Sequence, residues 1–262
     1  MDGASDLGGS VDFLARCSVV VPTRNEAENL PRLLASLPAA VELVLSDAST
    51  DGTGALALRL RPEGTRVVPG PGSIGAARQR GAEVATRDLL LFTDADVAFA
   101  PDYFARLATY PAWDALHGPK LSRDAYAGYY ALVARAQGLA HRLVGIAGAS
   151  GSNLLIRRAV LDAVGGFRPE LPCSEDSELM FRVARRAYRV RFAPDLIVYA
   201  QDHRRLRRGL VQKSLHSLSR NVLLYCLCSR PRLPRLLEGD WGYWAHRRGA
   251  PAVSGAPGKD TP

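Results

Sequence analysis

Short apolar runs, each ending abruptly in a polar cluster, set the rhythm of the first hundred residues. Residues 17–21 (Cys-Ser-Val-Val-Val), 41–45 (Val-Glu-Leu-Val-Leu) and 89–92 (Leu-Leu-Leu-Phe) are close to continuous rather than alternating. Runs of that length and kind predict strands buried on both faces. Pro22 cannot donate to a sheet ladder and stops the first of them. After it, Leu30, Leu33, Leu34 and Leu37 recur at helical spacing between Asn25, which reads as an N-cap, and Pro38, which ends the helix. Further helices are expected over residues 54–60 and 74–85, with a third strand over 66–68 and a Gly-rich loop, Gly70-Pro71-Gly72-Ser73, behind it. Strands alternating with helices imply right-handed crossovers, a mainly parallel sheet flanked by helices, and so an α/β fold. The polar clusters then gather at the carboxyl edge of the sheet, where such folds bind ligands.

The run at 89–92 ends in Thr93-Asp94-Ala95-Asp96. If the chain stays extended, residues two apart point to one side, so both carboxylates face one spot. Like charges held together raise each other's pKa unless a cation lies between them, and a hard divalent ion with oxygen ligands suits such a pair. Taken alone, an Asp-x-Asp is more commonly an ordinary polar turn.

A chain of 262 residues with 47% hydrophobic content can bury a full core, most simply as one domain with trimmings. Its net charge of +8 favours acidic partners: phosphates, nucleotides, anionic lipid or nucleic acid. Cys17, Cys173, Cys226 and Cys228 lack the paired spacing of a zinc site, and reduced thiols are expected. Residues 1–10 are small and acidic, unlike a signal peptide, and no apolar run approaches the ~18 residues of a spanning helix. A cytoplasmic protein is expected, soluble or peripheral on the inner face of the membrane.

Three strings carry a resemblance. They are Val19-Val20-Val21-Pro22-Thr23-Arg24-Asn25-Glu26-Ala27-Glu28-Asn29-Leu30, Asp47-Ala48-Ser49-Thr50-Asp51-Gly52-Thr53, and Thr93-Asp94-Ala95-Asp96. With Gly151-Ser152-Asn153, Ile156-Arg157-Arg158, Val164-Gly165-Gly166-Phe167 and Glu175-Asp176, the chain resembles the family 2 glycosyltransferases of GT-A fold, in the family's order. The resemblance implies a Rossmann-like catalytic domain over residues 16–202. Around it, residues 1–15 read as a tail, 203–248 as a helical extension, and 249–262, rich in Gly, Pro and Ser, as a disordered tail.

By that likeness, Pro22, Thr23, Arg24, Asn25, Glu26, Asp47 and Ser49 would hold the nucleoside of a nucleotide-sugar, with Asp47 accepting a bond from the base. Their plainer role is capping and turn chemistry. Arg78 stands where the family has an arginine near the nucleotide, although alone it reads as a solvated helix charge. Asp94 would face the ribose or diphosphate, and Asp96 would bind Mn²⁺ or Mg²⁺, which neutralises the leaving diphosphate. Gly151, Ser152 and Asn153 would line the sugar or acceptor region. Asp176 would be the general base of an inverting reaction, with Glu175 beside it. The plainer account has Ser174 capping a helix whose dipole is complemented by Glu175, Asp176 and Glu178. His203 lies where some relatives supply a histidine to the metal. Ser46, Gln79 and Ala187-Tyr188 depart from common family residues without removing a catalytic group.

Beyond residue 203 the character changes. Arg204, Arg205, Arg207 and Arg208 precede a helix on which Val211, Leu215, Leu218, Val222 and Tyr225 form a stripe, with Lys213 and Arg220 elsewhere on its surface. The stripe either packs on the catalytic core or lies on an anionic membrane surface near a lipid-linked acceptor such as a polyprenyl-phosphate or glycolipid. UDP-sugar is the default donor and GDP-sugar its rival. Two other classes stand beside this one. A sugar-phosphate nucleotidylyltransferase needs a Gly-rich loop after the first strand, where this chain has Pro22-Thr23-Arg24-Asn25. A non-catalytic nucleotide-binding or nucleic-acid module needs aromatic and basic residues interleaved on one face, and none are found, so no nucleic acid is expected.

Overall fold

The computed structural model describes residues 12–124, 126–145, 149–203, 206, 209–230, 232–239 and 241. The chain opens β1 (Cys17–Thr23), α1 (Leu30–Ala35), β2 (Glu42–Asp47), α2 (Thr53–Leu60), β3 (Thr65–Pro69), α3 (Ile74–Val84) and β4 (Leu89–Phe92). It continues β5 (Val97–Phe99), α4 (Tyr103–Ala108), β6 (Ala115–His117), β7 (Lys120–Leu121), α5 (Ala127–Val144), β8 (Leu154–Arg157) and α6 (Arg158–Val164). It closes α7 (Glu175–Arg185), β9 (Val190–Phe192), β10 (Val198–Ala200) and α8 (Leu210–Leu227).

Seven strands form one sheet in the order β3-β2-β1-β4-β8-β6-β9. Alternation along the runs explains their continuous apolar character. Val19, Val21, Leu43, Leu45, Leu89 and Leu91 enter one core, and Val20, Val44, Leu90 and Phe92 enter another on the opposite face. Each such leucine or valine, fully buried, contributes roughly 1.5–3 kcal/mol. All neighbours pair in parallel except β8, which runs antiparallel to both β4 and β6. That reversal has a consequence for the site. The residues just before β8, not those after it, lie at the carboxyl edge of β1, β2, β4 and β6.

A second sheet of three strands, β5-β10-β7, crosses near that edge. Its strands are two or three residues long, too short to leave a periodic signal, and sequence patterning does not predict it.

Three local expectations are corrected. Asn25 does not cap α1, which begins at Leu30; Asn25 sits at φ 57° in the left-handed region, bound into the neighbouring loop. Arg220 is not on the surface of α8 but fully buried, donating to the carbonyls of Gly239 (2.6 Å), Leu237 (3.0 Å) and Cys173 (3.3 Å). Of the stripe on α8 only Tyr225 packs, against Phe181 of α7. Val211, Leu215, Leu218 and Val222 are all more than half exposed, while the contact with α7 is made through Leu224 and its neighbours. Residues 1–11 and 249–262 of the expected tails, with Arg204, Arg205, Arg207 and Arg208, lie outside the described residues, whereas residues 12–15 are helical and put Leu14 into the core.

Candidate active site

At the carboxyl ends of β1 and β2 the polar clusters lace together. Thr23 donates to Asp47 (2.7 Å), the Asn25 amide to the Ser49 hydroxyl (2.8 Å), and the Thr50 amide to the Asn25 side chain (2.9 Å). Ser49 in turn donates to Asp47, and the Glu26 amide to Thr53 (3.0 Å). Two loops that are separate in sequence thus form one rigid rim, with Arg24 exposed on it and Pro22 partly so. Asp47 is also pressed by Gly54, where a Cβ would meet its carboxylate at 2.7 Å.

Next along the edge, β4 delivers the acids. Asp94 accepts from Arg78 Nη2 (2.9 Å) through one oxygen and from the Ser152 hydroxyl (2.5 Å) through the other. Asp96 is paired with Lys120 Nζ (3.2 Å), which also donates to Ser152 (3.4 Å). Arg78 is 2% exposed, not a solvated helix charge, because α3 turns it inward beneath Gly151, where any Cβ would overlap the guanidinium. Its other arm pairs with Glu175. Burial works against the charge on Arg78, but Glu175, Asp94 and Asp176 together hold its pKa above the ordinary value.

Glu175 and Asp176 open α7 from an unexpected cap. Ser174 lies at φ 61° and makes no side-chain bond to the helix. Glu178, for its part, is a buried anion held by Arg182 (2.7 Å) and Arg168 (2.9 Å), not a solvated complement to the dipole. Asp176 accepts the Gly151 amide (2.5 Å) and the Ser177 amide (2.7 Å). Burial pushes Glu175 up to about 7 despite Arg78, and raises Asp176 as well, with Asp94 adding to the effect. A carboxyl group with a raised pKa at a sheet edge is a proton acceptor poised closer to neutrality than an exposed one.

The antiparallel β8 brings Gly151, Ser152 and Asn153 between the two acid pairs. Gly151 touches Asp176, and Ser152 touches Asp94 and Lys120. Asn153 is buried, and its amide is used inside the protein: it donates to Leu196 O (2.6 Å) and accepts from the Tyr103 hydroxyl (2.7 Å). It holds the loop in place from beneath. His203 points to Asp124 through Nε2 and to the Tyr130 hydroxyl (3.5 Å) through Nδ1. Both ring nitrogens of the histidine expected at the metal are therefore engaged elsewhere, and from this segment it is the Gln201 backbone amide that reaches Asp96, donating to its carbonyl (2.8 Å).

Lys120 was not singled out by sequence, although a basic residue after Gly118-Pro119 at the end of a strand is a usable signal. Four carboxylates, Asp94, Asp96, Glu175 and Asp176, thus converge on two cations, Arg78 and Lys120. Among the described residues no group of three or more His, Cys, Asp or Glu side chains could hold a metal by itself. The donor set nevertheless fits Mg²⁺ or Mn²⁺. Such ions are commonly held by one or two carboxylates, with water and substrate phosphates completing the shell, and an ammonium already stands against an Asp96 oxygen.

The chain is 35% identical over 117 residues to polyprenol monophosphomannose synthase of Mycolicibacterium smegmatis, covering 40% of this chain and 44% of the relative. It is 30% identical over 198 residues to the succinoglycan biosynthesis protein ExoA of Rhizobium meliloti, covering 66% and 59%. To the pre-mycofactocin glycosyltransferase of Mycobacterium tuberculosis it is 28% identical over 222 residues, covering 76% and 45%. The chain spans about half the length of the curated relatives it matches. In fold it is similar to the Pyrobaculum calidifontis mannosyltransferase PcManGT in complex with GDP-Man and Mn²⁺, at TM-score 0.63 and 20% identity, covering 93% of this chain and 78% of that one. It is likewise similar to S. aureus TarS in complex with UDP-GlcNAc, at TM-score 0.61 and 20% identity, covering 85% and 69%. A model for glycosyl transferase family 21 matches residues 127–214. The model for glycosyl transferase family 2 matches residues 18–165, more than half of the chain and every element from β1 to α6, so the chain belongs to glycosyl transferase family 2.

Proposed function

We propose that the chain is a metal-dependent, inverting glycosyltransferase that moves a sugar from a nucleoside diphosphate sugar to a hydroxyl or phosphate acceptor. The observation that carries this reading is the convergence of Asp94 and Asp176 on the Gly151-Ser152 turn at one sheet edge, with Asp96 joined to it through Lys120. UDP-sugar is the favoured donor and GDP-sugar the rival; one structural neighbour holds each kind.

The rim of Pro22, Thr23, Arg24, Asn25, Glu26, Asp47 and Ser49 holds the nucleoside, and Asp94 faces the ribose or diphosphate, kept in orientation by Arg78 and Ser152. Asp96 is the side chain that would hold Mn²⁺ or Mg²⁺. When bound, the ion supplies Lewis-acid neutralisation of the leaving diphosphate. Asp176 receives the proton of an acceptor hydroxyl through a carboxylate oriented by two backbone amides. Arg78, paired with Glu175 and Asp94 at once, couples the acceptor side of the site to the donor side.

A lipid-linked acceptor is supported by α8. Its exposed Val211, Leu215, Leu218 and Val222 belong to a stretch, 203–237, with no Asp or Glu and many Arg. An apolar stripe in a purely basic frame suits an anionic lipid surface, with the catalytic domain peripheral on the cytoplasmic face. No helix among the described residues is long and apolar enough to cross a membrane. One relative is a polyprenol monophosphomannose synthase, whose acceptor is of this class.

A thermal-shift titration with UDP, GDP and dTDP, each with and without Mn²⁺, tests the donor reading on the wild type and Asp96→Ala. A ligand at about a hundred times its Kd adds ~2.7 kcal/mol, which moves the midpoint by several degrees. The expected result is a Mn²⁺-dependent shift with one nucleotide that Asp96→Ala loses. No shift with any nucleotide would reduce the resemblance to one of fold.

A further inference from the structure

Lys120 has no part in the chemistry above, yet its position is closely fixed. Gly118 before it admits no side chain, since a Cβ would strike the Leu196 carbonyl oxygen and the Asn153 amide. The Pro119 carbonyl accepts the Val198 amide (3.2 Å), and Lys120 and Leu121 then pair in parallel with Val198 and Tyr199 of β10. The backbone that carries the side chain is therefore pinned between two sheets. From it Nζ reaches Asp96 Oδ1 at 3.2 Å and Ser152 Oγ at 3.4 Å, with the Ser152 hydroxyl in turn donating a hydrogen bond to Asp94. The ion pair is mostly shielded, with side chains 15% and 19% exposed.

An ammonium on Asp96 Oδ1 and a divalent ion on the same carboxylate would stand within a few ångströms of each other. At contact distance they repel each other strongly, and in a shielded site little solvent screens that repulsion. We propose that Lys120 is the internal counter-ion of Asp96, which a divalent cation must displace, and that the donor diphosphate makes this displacement favourable by accepting the released ammonium. The inference rests on the cation reading of Asp96 given above. It has two consequences. The ligand-free protein keeps Asp94 and Asp96 neutralised by Arg78 and Lys120, so the paired carboxylates do not repel each other before substrate arrives. Metal alone binds weakly, and metal and nucleoside diphosphate strengthen one another by the same factor, as linkage requires.

The test is Mn²⁺ binding followed by the electron paramagnetic resonance signal of the free ion, with and without UDP or GDP, on the wild type, Lys120→Met, Lys120→Arg and Asp96→Asn. Lys120→Met is expected to bind Mn²⁺ alone about tenfold more tightly than the wild type, and to lose most of the strengthening that the nucleotide confers. Lys120→Arg, which keeps the charge, is expected to behave as the wild type, and Asp96→Asn to bind no ion. Equal Mn²⁺ affinity in Lys120→Met and wild type, with nucleotide-dependent binding intact in both, overturns the counter-ion role while leaving the cation at Asp96. Absence of binding in every protein, nucleotide included, overturns both.

Discussion

The ion pair between Arg78 and Glu175 is closed to water, with the two side chains 2% and 4% exposed. Above pH 7, where Glu175 is ionised, removing one partner of such a pair leaves an uncompensated buried charge, at a cost of about 3–5 kcal/mol. Arg78→Met is therefore expected to lower the unfolding free energy measured in urea by that amount, although methionine fills much of the same volume. Arg78→Lys should recover little, because a single ammonium cannot reach both Glu175 and Asp94 as the forked guanidinium does. A loss under about 1 kcal/mol in Arg78→Met would mean that the pair is a passenger in the fold.

The same burial makes stability depend on pH in an unusual direction. Glu175 is raised from 4.5 to about 7 in the folded protein. Between those values the native state holds a proton that the unfolded chain has released, so stability falls as pH rises through the window. Against Glu175→Gln, which does not titrate, the wild type is expected to lose stability progressively between pH 5 and 7. Denaturation of both proteins across that range checks it. A constant difference between them would place the ionisation elsewhere.

Much of this was legible in the chain, for identifiable reasons. Strands such as Leu89–Phe92 are buried on both faces and leave unbroken apolar runs, and Asp94 and Asp96 follow directly at the ligand-binding edge. Arg78 reads as solvated when taken alone, and only the resemblance points it to the site, because a helix of low apolar content, Ile74–Val84, gives no sign of which face an arginine takes; its burial depends on Gly151 and Glu175, far off in sequence. The bond between His203 and Asp124, which lies in the turn before α5, is likewise announced by no local pattern. Lys120 escaped because the strand that holds it has two residues.

Asp176→Asn separates the two acceptor classes. With a hydroxyl acceptor the carboxylate must take up a proton, and its loss is expected to lower turnover about 10²–10⁴-fold with nucleotide affinity unchanged. A phosphate acceptor brings an oxygen already ionised, so the same substitution should cost little there. Steady-state rates with both kinds of acceptor, beside nucleotide titrations, give the comparison. Wild-type turnover of a hydroxyl acceptor by Asp176→Asn would remove Asp176 from the role of base.

Tyr103 supports the Gly151–Asn153 turn from the far side of β4. Its hydroxyl donates to the buried Asn153 side chain at 2.7 Å, and Tyr103→Phe leaves that oxygen without its donor. The expected cost is about 1–3 kcal/mol, with no change of packing volume. The thermal midpoint measures it directly. If the midpoint stays within error, the Leu196 and Pro119 carbonyls suffice to hold Asn153.

The exposed stripe on α8 makes the membrane reading testable without touching the site. Leu215 and Leu218 are each 62% exposed, so Leu215→Ser/Leu218→Ser removes apolar surface that nothing in the described fold covers and should leave the thermal midpoint nearly unchanged. In flotation with anionic vesicles the wild type is expected to rise with the lipid at low salt and to be released as salt screens the basic frame. The double variant should remain at the bottom at every salt concentration, because charge alone does not seat a helix in the interface. Turnover of a water-soluble acceptor by the double variant should match the wild type, whereas turnover of a lipid-linked acceptor in vesicles should fall. Equal flotation of the two proteins would assign the binding to the arginines, and wild type left behind at low salt would make the stripe a surface for some other partner.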